Sequence, residues 1–325
     1  MVREVFPKIY LNEIPLPNNP LKALNSYIFV SAKRNLIIDT GFNTKVCKDA
    51  FLAGVEELNI DLAKTDLLLT HMHPDHTGLA DDLKKLGCKV LISNKDGRLL
   101  NFTRTWGSSV YAELNNALDL GKEGFTGSKE FGKKSTEILE YYPLAEGDVI
   151  EIGSYELEIV DIPGHTPGHI GLFDRRNKLF FSGDHILNEI TPNITFWAHE
   201  FDSLGSFIQS LNKIYELDID TVFPAHRSII KDYRKRIEEI IAHHGERLDE
   251  VSQIIRKEKK TASQTAAEMQ WSLSYDKWED FPGTQKWFAS GEAMSHLEHL
   301  VFQGKAQRIQ ENGTIYYALL KNEEQ

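Results

Sequence analysis

The sequence predicts a layered α/β domain over residues 1–227 followed by a small helical domain over 228–325. Three observations carry that prediction. Apolar strands alternate with helical segments up to about residue 95, a second strand-rich block runs from about 148 to 226, and the remainder is charged helical sequence ending in a hairpin signal.

KIYLNEIPL, SYIFVS and NLIIDTG open the chain as short strands, and the last two hold enough β-branched and aromatic residues to be buried. A helix follows, with Thr44 as its cap and Val46, Phe51, Val55 and Leu58 at helical spacing until the pattern stops near Asn59. DLLLTHMHPDHTG runs from an apolar strand into a histidine-rich turn. LADDLKKLG then reads as a short helix closed by Gly87, and KVLIS as another buried strand. From about 96 to 142 the alternation breaks, with Trp106, Tyr111, Phe125 and Phe131 set among Gly, Ser and Lys, and the stretch reads as an insertion covering the site. DVIEIG, SYELEIVDIPG and HIGLFDRRNKLFFSGD form the second block, with residues 174–178 as the turn between two apolar strands. A helix from about Leu204 to Tyr215 and the strand TVFPAH complete it.

Beyond Ser228, Ile237, Ile240, Ile241, Leu248, Val251, Ile254 and Ile255 give one apolar face to a long charged helix. TASQTAAEM, a helix through HLEHLVFQG, and two short strands around Asn312-Gly313 follow. Three helices and a hairpin make a winged-helix-like pattern.

With 41% hydrophobic and 26% charged residues the composition is globular, and no apolar run is long enough to span a bilayer. The N-terminal stretch MVREVFPKIYLNEIPLP has no signal-peptide pattern, so a cytoplasmic protein without membrane partners is expected. Cys47 and Cys88 lie in no ligand or redox spacing. The net charge of -11 opposes binding to a polyanion, and the stretch from Lys231 onward balances 14 basic against 16 acidic residues. No nucleic-acid partner is expected, and the amphipathic tail reads as a lid or a homo-oligomer interface.

The chemistry concentrates in HMHPDHTG. In an extended segment residues two apart face the same side, so His71 and His73 can grip one cation while Asp75 and His76 face a neighbouring position. Pro74 suits the first turn of a following helix, where its missing N–H costs nothing. Neutral imidazoles plus a carboxylate form a mixture that zinc accepts. Three later turns, each after an apolar strand, offer His165, Asp184 and His226, and strand ends in a layered α/β fold deliver side chains to one rim.

IIDTG, HMHPDHTG, PGHTPGH, SGD and PAHR, in this order between residues 39 and 227, resemble the metallo-β-lactamase superfamily. The resemblance implies an αββα sandwich with the site at one edge of two facing sheets. It implies that His71, His73 and His165 hold a first metal, that Asp75, His76 and His226 hold a second, and that Asp184 bridges them. Asp39 matches the early aspartate that steadies the ligand loop. The C-terminal part resembles the extension of glyoxalase II-like and LACTB-type members. True β-lactamases usually carry a cysteine where Asp184 stands, so antibiotic hydrolysis is not expected.

The resulting expectation is a hydrolase for an ester, thioester or lactone of a small organic substrate, using two divalent ions, zinc first with iron or manganese as alternatives. Two ions about 3.5–4 Å apart polarise a carbonyl and bring a shared water to a pKa of roughly 7, so that a bimetal-bound hydroxide attacks, with Asp75 as catalytic group. A mononuclear-iron persulfide dioxygenase and a metal-dependent nuclease are the competing readings. His169, Trp106 and Trp197 are candidates for the substrate or the surroundings of the metals, with plain packing as the alternative for each. His185 is read as pointing away, and His243, His244, His296 and His299 as packed or solvated helix residues.

Overall fold

A computed structural model describes residues 2–120, 136–271 and 277–320. The chain divides into two compact units, one of residues 1–105, 129–192 and 210–237, the other of residues 106–128, 193–209 and 238–325.

The first unit holds two sheets. Strands β1 (Arg3–Phe6), β2 (Ile9–Pro15), β3 (Ala23–Phe29), β4 (Asn35–Ile38), β5 (Thr65–Leu68), β6 (Lys89–Ser93) and β7 (Tyr142–Leu144) lie side by side in chain order. Neighbours from β1 to β4 are antiparallel, and those from β4 to β7 are parallel. The sequence shows why: Leu36–Ile38 of β4 and Val90–Ile92 of β6 are continuous apolar runs, the pattern of strands covered on both faces. The second sheet contains β8 (Val149–Ile152), β9 (Tyr155–Asp161), β10 (Ile170–Asp174), β11 (Leu179–Gly183) and β12 (Thr221–Pro224), in the order β12-β11-β10-β9-β8.

One apolar core lies between the sheets. Tyr27, Phe29, Leu36, Ile38 and Leu68 of the first meet Leu157, Ile159, Leu172, Phe181 and Phe223 of the second. Phe181 stacks on Phe223 at 4.8 Å, and Tyr27 meets both rings edge-on at 5.3 and 5.5 Å. This packing sets the rim on which the site is built. Parallel β4, β5 and β6 end at the same edge of their sheet. β11 and β12 are parallel, and β9, two antiparallel steps from β11, runs the same way. The turns after these strands carry Asp39, the segment 71–76, Asp96, His165, Asp184 and His226.

Helices α1 (Lys45–Glu57), α2 (Pro74–Thr77), α3 (Ala80–Lys85) and α4 (Asn94–Ala117) follow strands of the first sheet, and α5 (Ser203–Tyr215) precedes β12. Thr44 caps α1 as its sequence indicates, its hydroxyl accepting from the Cys47 N–H. The inward stripe differs by one position. Val46 is 49% exposed, and Cys47 is buried with Phe51 and Val55, because the stripe that meets β2 starts one residue later. The region read as an irregular insertion begins as the 24-residue α4, interrupted by non-helical backbone at Trp106. Residues 121–135, including Phe125 and Phe131, lie outside the described residues.

In the second unit α6 (Tyr233–Lys257), which begins in the first, is followed by α7 (Ala262–Glu268), α8 (Gly283–Phe302) and the hairpin of β13 (Ala306–Glu311) with β14 (Thr314–Leu319). Asn312 and Gly313 form its turn at φ 51° and 84°. Val251, Ile255, Ala266, Met294, Leu297 and Tyr317 are among the residues of its core. Among the described residues no helix is long and apolar enough to cross a membrane.

Phe181→Ala removes the ring shared by Phe223, Tyr27 and Phe29 and should cost about 3–5 kcal/mol in urea unfolding, the range for a fully buried aromatic. Val149→Ser, at a side chain 55% exposed on an edge strand, should change stability by less than about 0.5 kcal/mol.

Candidate metal centre

Seven side chains converge in two groups. His71, His73 and His165 form the first; Asp75, His76, Asp184 and His226 form the second, each group with one ligand atom per residue within 4.8 Å of the others. In the first group His73 Nδ1 stands 3.0 Å from His71 Nε2 and 2.9 Å from His165 Nε2. In the second, His226 Nε2 lies 3.3 Å from Asp75 Oδ2 and 3.4 Å from Asp184 Oδ1, and His76 Nε2 lies 3.5 Å from the same Asp184 oxygen. Asp184 Oδ2 faces the other way, 3.6 Å from His165 Nε2. Each oxygen of Asp184 therefore addresses one group.

The local backbone explains the convergence. His73 is the N-cap of α2 and Pro74 its first residue, so the chain turns immediately after the His71–His73 pair and swings Asp75 and His76 to the second group. Gly183 adopts φ +51°, and a Cβ there would fall 2.6 Å from His169 Cε1, so only glycine lets the chain bend into Asp184.

Asp39 organises the imidazoles from beneath. It takes a left-handed φ of 59°, held by its N–H donating to the Leu68 carbonyl and by the Ser26 hydroxyl donating to its own carbonyl. Its Oδ1 accepts from Thr70 N–H at 2.8 Å, and its Oδ2 accepts from the Thr70 hydroxyl and from His76 Nδ1–H, both at 2.8 Å. With its proton given to Asp39, the Thr70 oxygen is left to accept from His71 Nδ1–H at 3.1 Å. His226 Nδ1–H donates to the Ala23 carbonyl at 2.6 Å. In all three histidines the proton is fixed on Nδ1, which turns the Nε2 lone pair toward the cluster.

Among the described residues, the buried atoms His76 Nε2, His226 Nε2 and Asp184 Oδ1 have no hydrogen-bond partner. Leaving a buried polar atom unmatched costs about 1–3 kcal/mol, and three aimed at one another form a donor set that a divalent cation satisfies. Charge follows the same division. Burial first, then the neighbouring imidazoles, holds His71 well below the ordinary histidine range, and burial followed by His165 lowers His73 as well. Burial also disfavours a cation at His76 and His226, but carboxylates outweigh it, Asp39, Asp184 and Asp75 at the former and Asp184 and Asp75 at the latter, and both are raised.

The other sequence candidates are outside the two ligand groups. His169 is not in either group. Its Nε2 accepts from the Asp184 backbone N–H at 3.1 Å, and its ring stacks on His71 at 4.7 Å, so it braces two ligand residues. Trp106, 61% exposed, and Trp197 belong to the second unit. His244, His296 and His299 are buried within the second unit, His244 Nδ1 lying 3.2 Å from His296 Nε2 and His299 Nδ1 2.9 Å from Asp202 Oδ2. His185 is buried and in neither ligand group. The sequence reading passed over Asp96, a fully buried carboxylate in the first turn of α4 that accepts from Met72, Thr166 and Gly168. Its place three residues past the end of β6 does not single it out in the sequence, because its partners are assembled only by folding.

A metal competes with protons for its ligands, and the sign differs between the groups. His76 and His226 are raised, so their affinity for metal keeps climbing with pH above the ordinary imidazole range and falls early on acidification. His71 and His73 are lowered, so they stay neutral to a lower pH. Dialysis of metal-loaded protein from about pH 8 to about pH 6 should empty the second group before the first. Simultaneous loss of both metals would contradict this assignment.

Residues 21–226 match the metallo-beta-lactamase superfamily, and residues 248–320 match the metallo-beta-lactamase-like C-terminal domain. The chain is 29% identical over 236 residues to the beta-lactamase-like protein 2 homolog of Drosophila melanogaster, a stretch covering 72% of this chain and 68% of that protein. It is 28% identical over 201 residues to the hydroxyacylglutathione hydrolase GloC of Haemophilus influenzae, covering 62% of this chain and 82% of that one. A metallo-beta-lactamase family protein from Thermus thermophilus, solved as a crystal structure, superposes with a TM-score of 0.83 at 25% identity over 98% of this chain and 100% of its own. With five motif-bearing turns gathered on one rim and more than half of its length matched, the chain belongs to the metallo-beta-lactamase superfamily.

Proposed function

We propose that the chain is a two-metal hydrolase that cleaves an acyl bond, a thioester first and an ester or lactone otherwise, in a small organic substrate. The observation that carries this reading is Asp184, whose two carboxylate oxygens face the two ligand groups from a single side chain. Cations held by the two groups would supply Lewis-acid activation, making a water more acidic and polarising an acyl carbonyl. Imidazole and carboxylate ligands suit zinc, with iron and manganese next. The name of the Haemophilus relative, a hydroxyacylglutathione hydrolase, supports an acylated thiol as the substrate class.

The chain's own groups have separable tasks. His71, His73 and His165 present three imidazole nitrogens and share only one oxygen of Asp184, so a cation held there would keep more of its charge and would be the more electrophilic toward a carbonyl oxygen. Asp75, His76, Asp184 and His226 give the second position two carboxylates and so favour a water there as nucleophile. Asp75 uses Oδ2 toward His226, and its Oδ1 is the proposed acceptor for the hydrogen bond that orients the attacking water. Asp39 and Thr70 hold the His71 and His76 rings in register, so that the electrophilic and nucleophilic positions keep a fixed separation.

Elemental analysis of the purified protein should find close to two zinc, iron or manganese ions per chain. Asp75→Asn keeps the shape but removes the charge. The first metal should remain, the second should bind more weakly, and turnover should fall by about 10²-fold or more with a much smaller change in substrate affinity. Steady-state kinetics and metal counting on the same sample test this. Near-normal turnover with one metal bound would remove the two-metal hydrolytic reading.

A further inference from the structure

Asp96 lies outside both ligand groups, yet its carboxylate joins the two turns that supply the first. Its Oδ2 accepts from the Met72 backbone N–H at 3.0 Å and from the Thr166 hydroxyl at 2.6 Å, and its Oδ1 accepts from the Gly168 N–H at 2.7 Å. Met72 separates His71 from His73, and Thr166 follows His165. The carboxylate is itself fixed, because Asp96 N–H donates to Ser93 Oγ at 3.2 Å, and the side chain has no solvent exposure. Gly168 leaves room for it: a Cβ there would stand 2.6 Å from Asp96 N, Asp96 Oδ1 and Ser93 Oγ.

We propose that Asp96 is a positioning residue for the first metal, tying the His71–His73 turn to the His165 turn and so setting where the three nitrogens meet. The proposal rests on the reading of that triad as a metal site. Its physical basis is the number and kind of partners. All three are donors, so a carboxylate can serve them together and a carboxamide cannot. In Asp96→Asn, whichever way the amide turns, its NH2 faces a backbone N–H, of Met72 in one orientation and of Gly168 in the other. The Thr166 hydroxyl can rotate to accept, but a backbone N–H cannot, so one ligand-bearing turn is pushed away while the other stays. The second group takes its ligands from Asp75, His76, Asp184 and His226, none of which bonds to Asp96, and it should be spared.

The test uses the metal-depleted full chain titrated with Co(II) and followed by its ligand-field absorption. His226→Ala disables the second group and reports the first; His73→Ala does the reverse. Adding Asp96→Asn should weaken Co(II) binding by about 10–100-fold in the His226→Ala background, the scale found when a partner supporting metal ligands is lost, and leave the His73→Ala background unchanged. Equal losses in both backgrounds, or no loss in the first, would overturn the proposal. If the His226→Ala chain with Asp96 intact takes up no Co(II), the triad is not a metal site, and the failure falls on that reading and carries the proposal with it. Should Asp96→Asn not fold, Thr166→Val removes one donor and keeps both backbone bonds. It should weaken the first group by a smaller factor, and an unchanged Co(II) affinity would again overturn the assignment.

Discussion

The structure turns on a concentration of like groups that a shared cation would stabilise. Two imidazole nitrogens stand within 3.0 Å of a third, and two carboxylates face two further imidazoles, at a rim where His71, His76 and His226 have no solvent exposure. Imidazole nitrogens at that spacing need a proton or a cation between them, and buried carboxylates need cations. Much of what surrounds them serves that arrangement. Six turns carrying Asp39, His71 to His76, Asp96, His165, Asp184 and His226 follow strands that run toward one edge, and an aromatic core holds the two sheets in place beneath them. Asn25 and Tyr27 pin the last turn, their side chains donating to the Pro224 carbonyl at 3.0 and 2.8 Å.

The two ligand groups differ in a way that bears on chemistry. The first is all nitrogen and disfavours protons; the second contains both carboxylates and draws protons to its imidazoles. On the proposed reading, a cation in the first would keep more of its positive charge, which would suit binding and polarising a carbonyl oxygen. A cation in the second would be more fully neutralised by its two carboxylates, which would suit holding a water as the nucleophile. Asp39 reaches both, through Thr70 to His71 and directly to His76, and thereby couples the orientation of one position to that of the other.

Much of this was legible in the sequence because metal ligands are chemically scarce and the fold spaces them by strand ends. HMHPDHTG puts four candidate ligands within six residues, and His165, Asp184 and His226 each follow a short apolar run of strand length. Asp96 was not legible, since its partners are two backbone amides and a hydroxyl brought together by folding, and a lone aspartate in SNKDG looks like a loop residue. α4 was hidden by its composition: Gly97, Thr103, Thr105 and Gly107 are weak helix formers, and only packing makes that stretch helical. β1 and β7, at four and three residues, are too short to show an alternation. In α1 the one-residue offset between Val46 and Cys47 is the ordinary ambiguity of a stripe read without its partner surface.

On the two-metal reading proposed above, hydrolysis requires both positions to be filled. The most direct measurement is the initial rate of hydrolysis of an acyl thioester by the metal-depleted full chain as divalent metal is added, with lactone, phosphodiester and persulfide substrates run in parallel on the same samples. Thioester cleavage should rise mainly with the second equivalent of metal per chain and exceed turnover of the phosphodiester and the persulfide. Full activity reached at one equivalent, or preferred turnover of the persulfide by an iron-loaded sample, would contradict the two-metal hydrolytic reading.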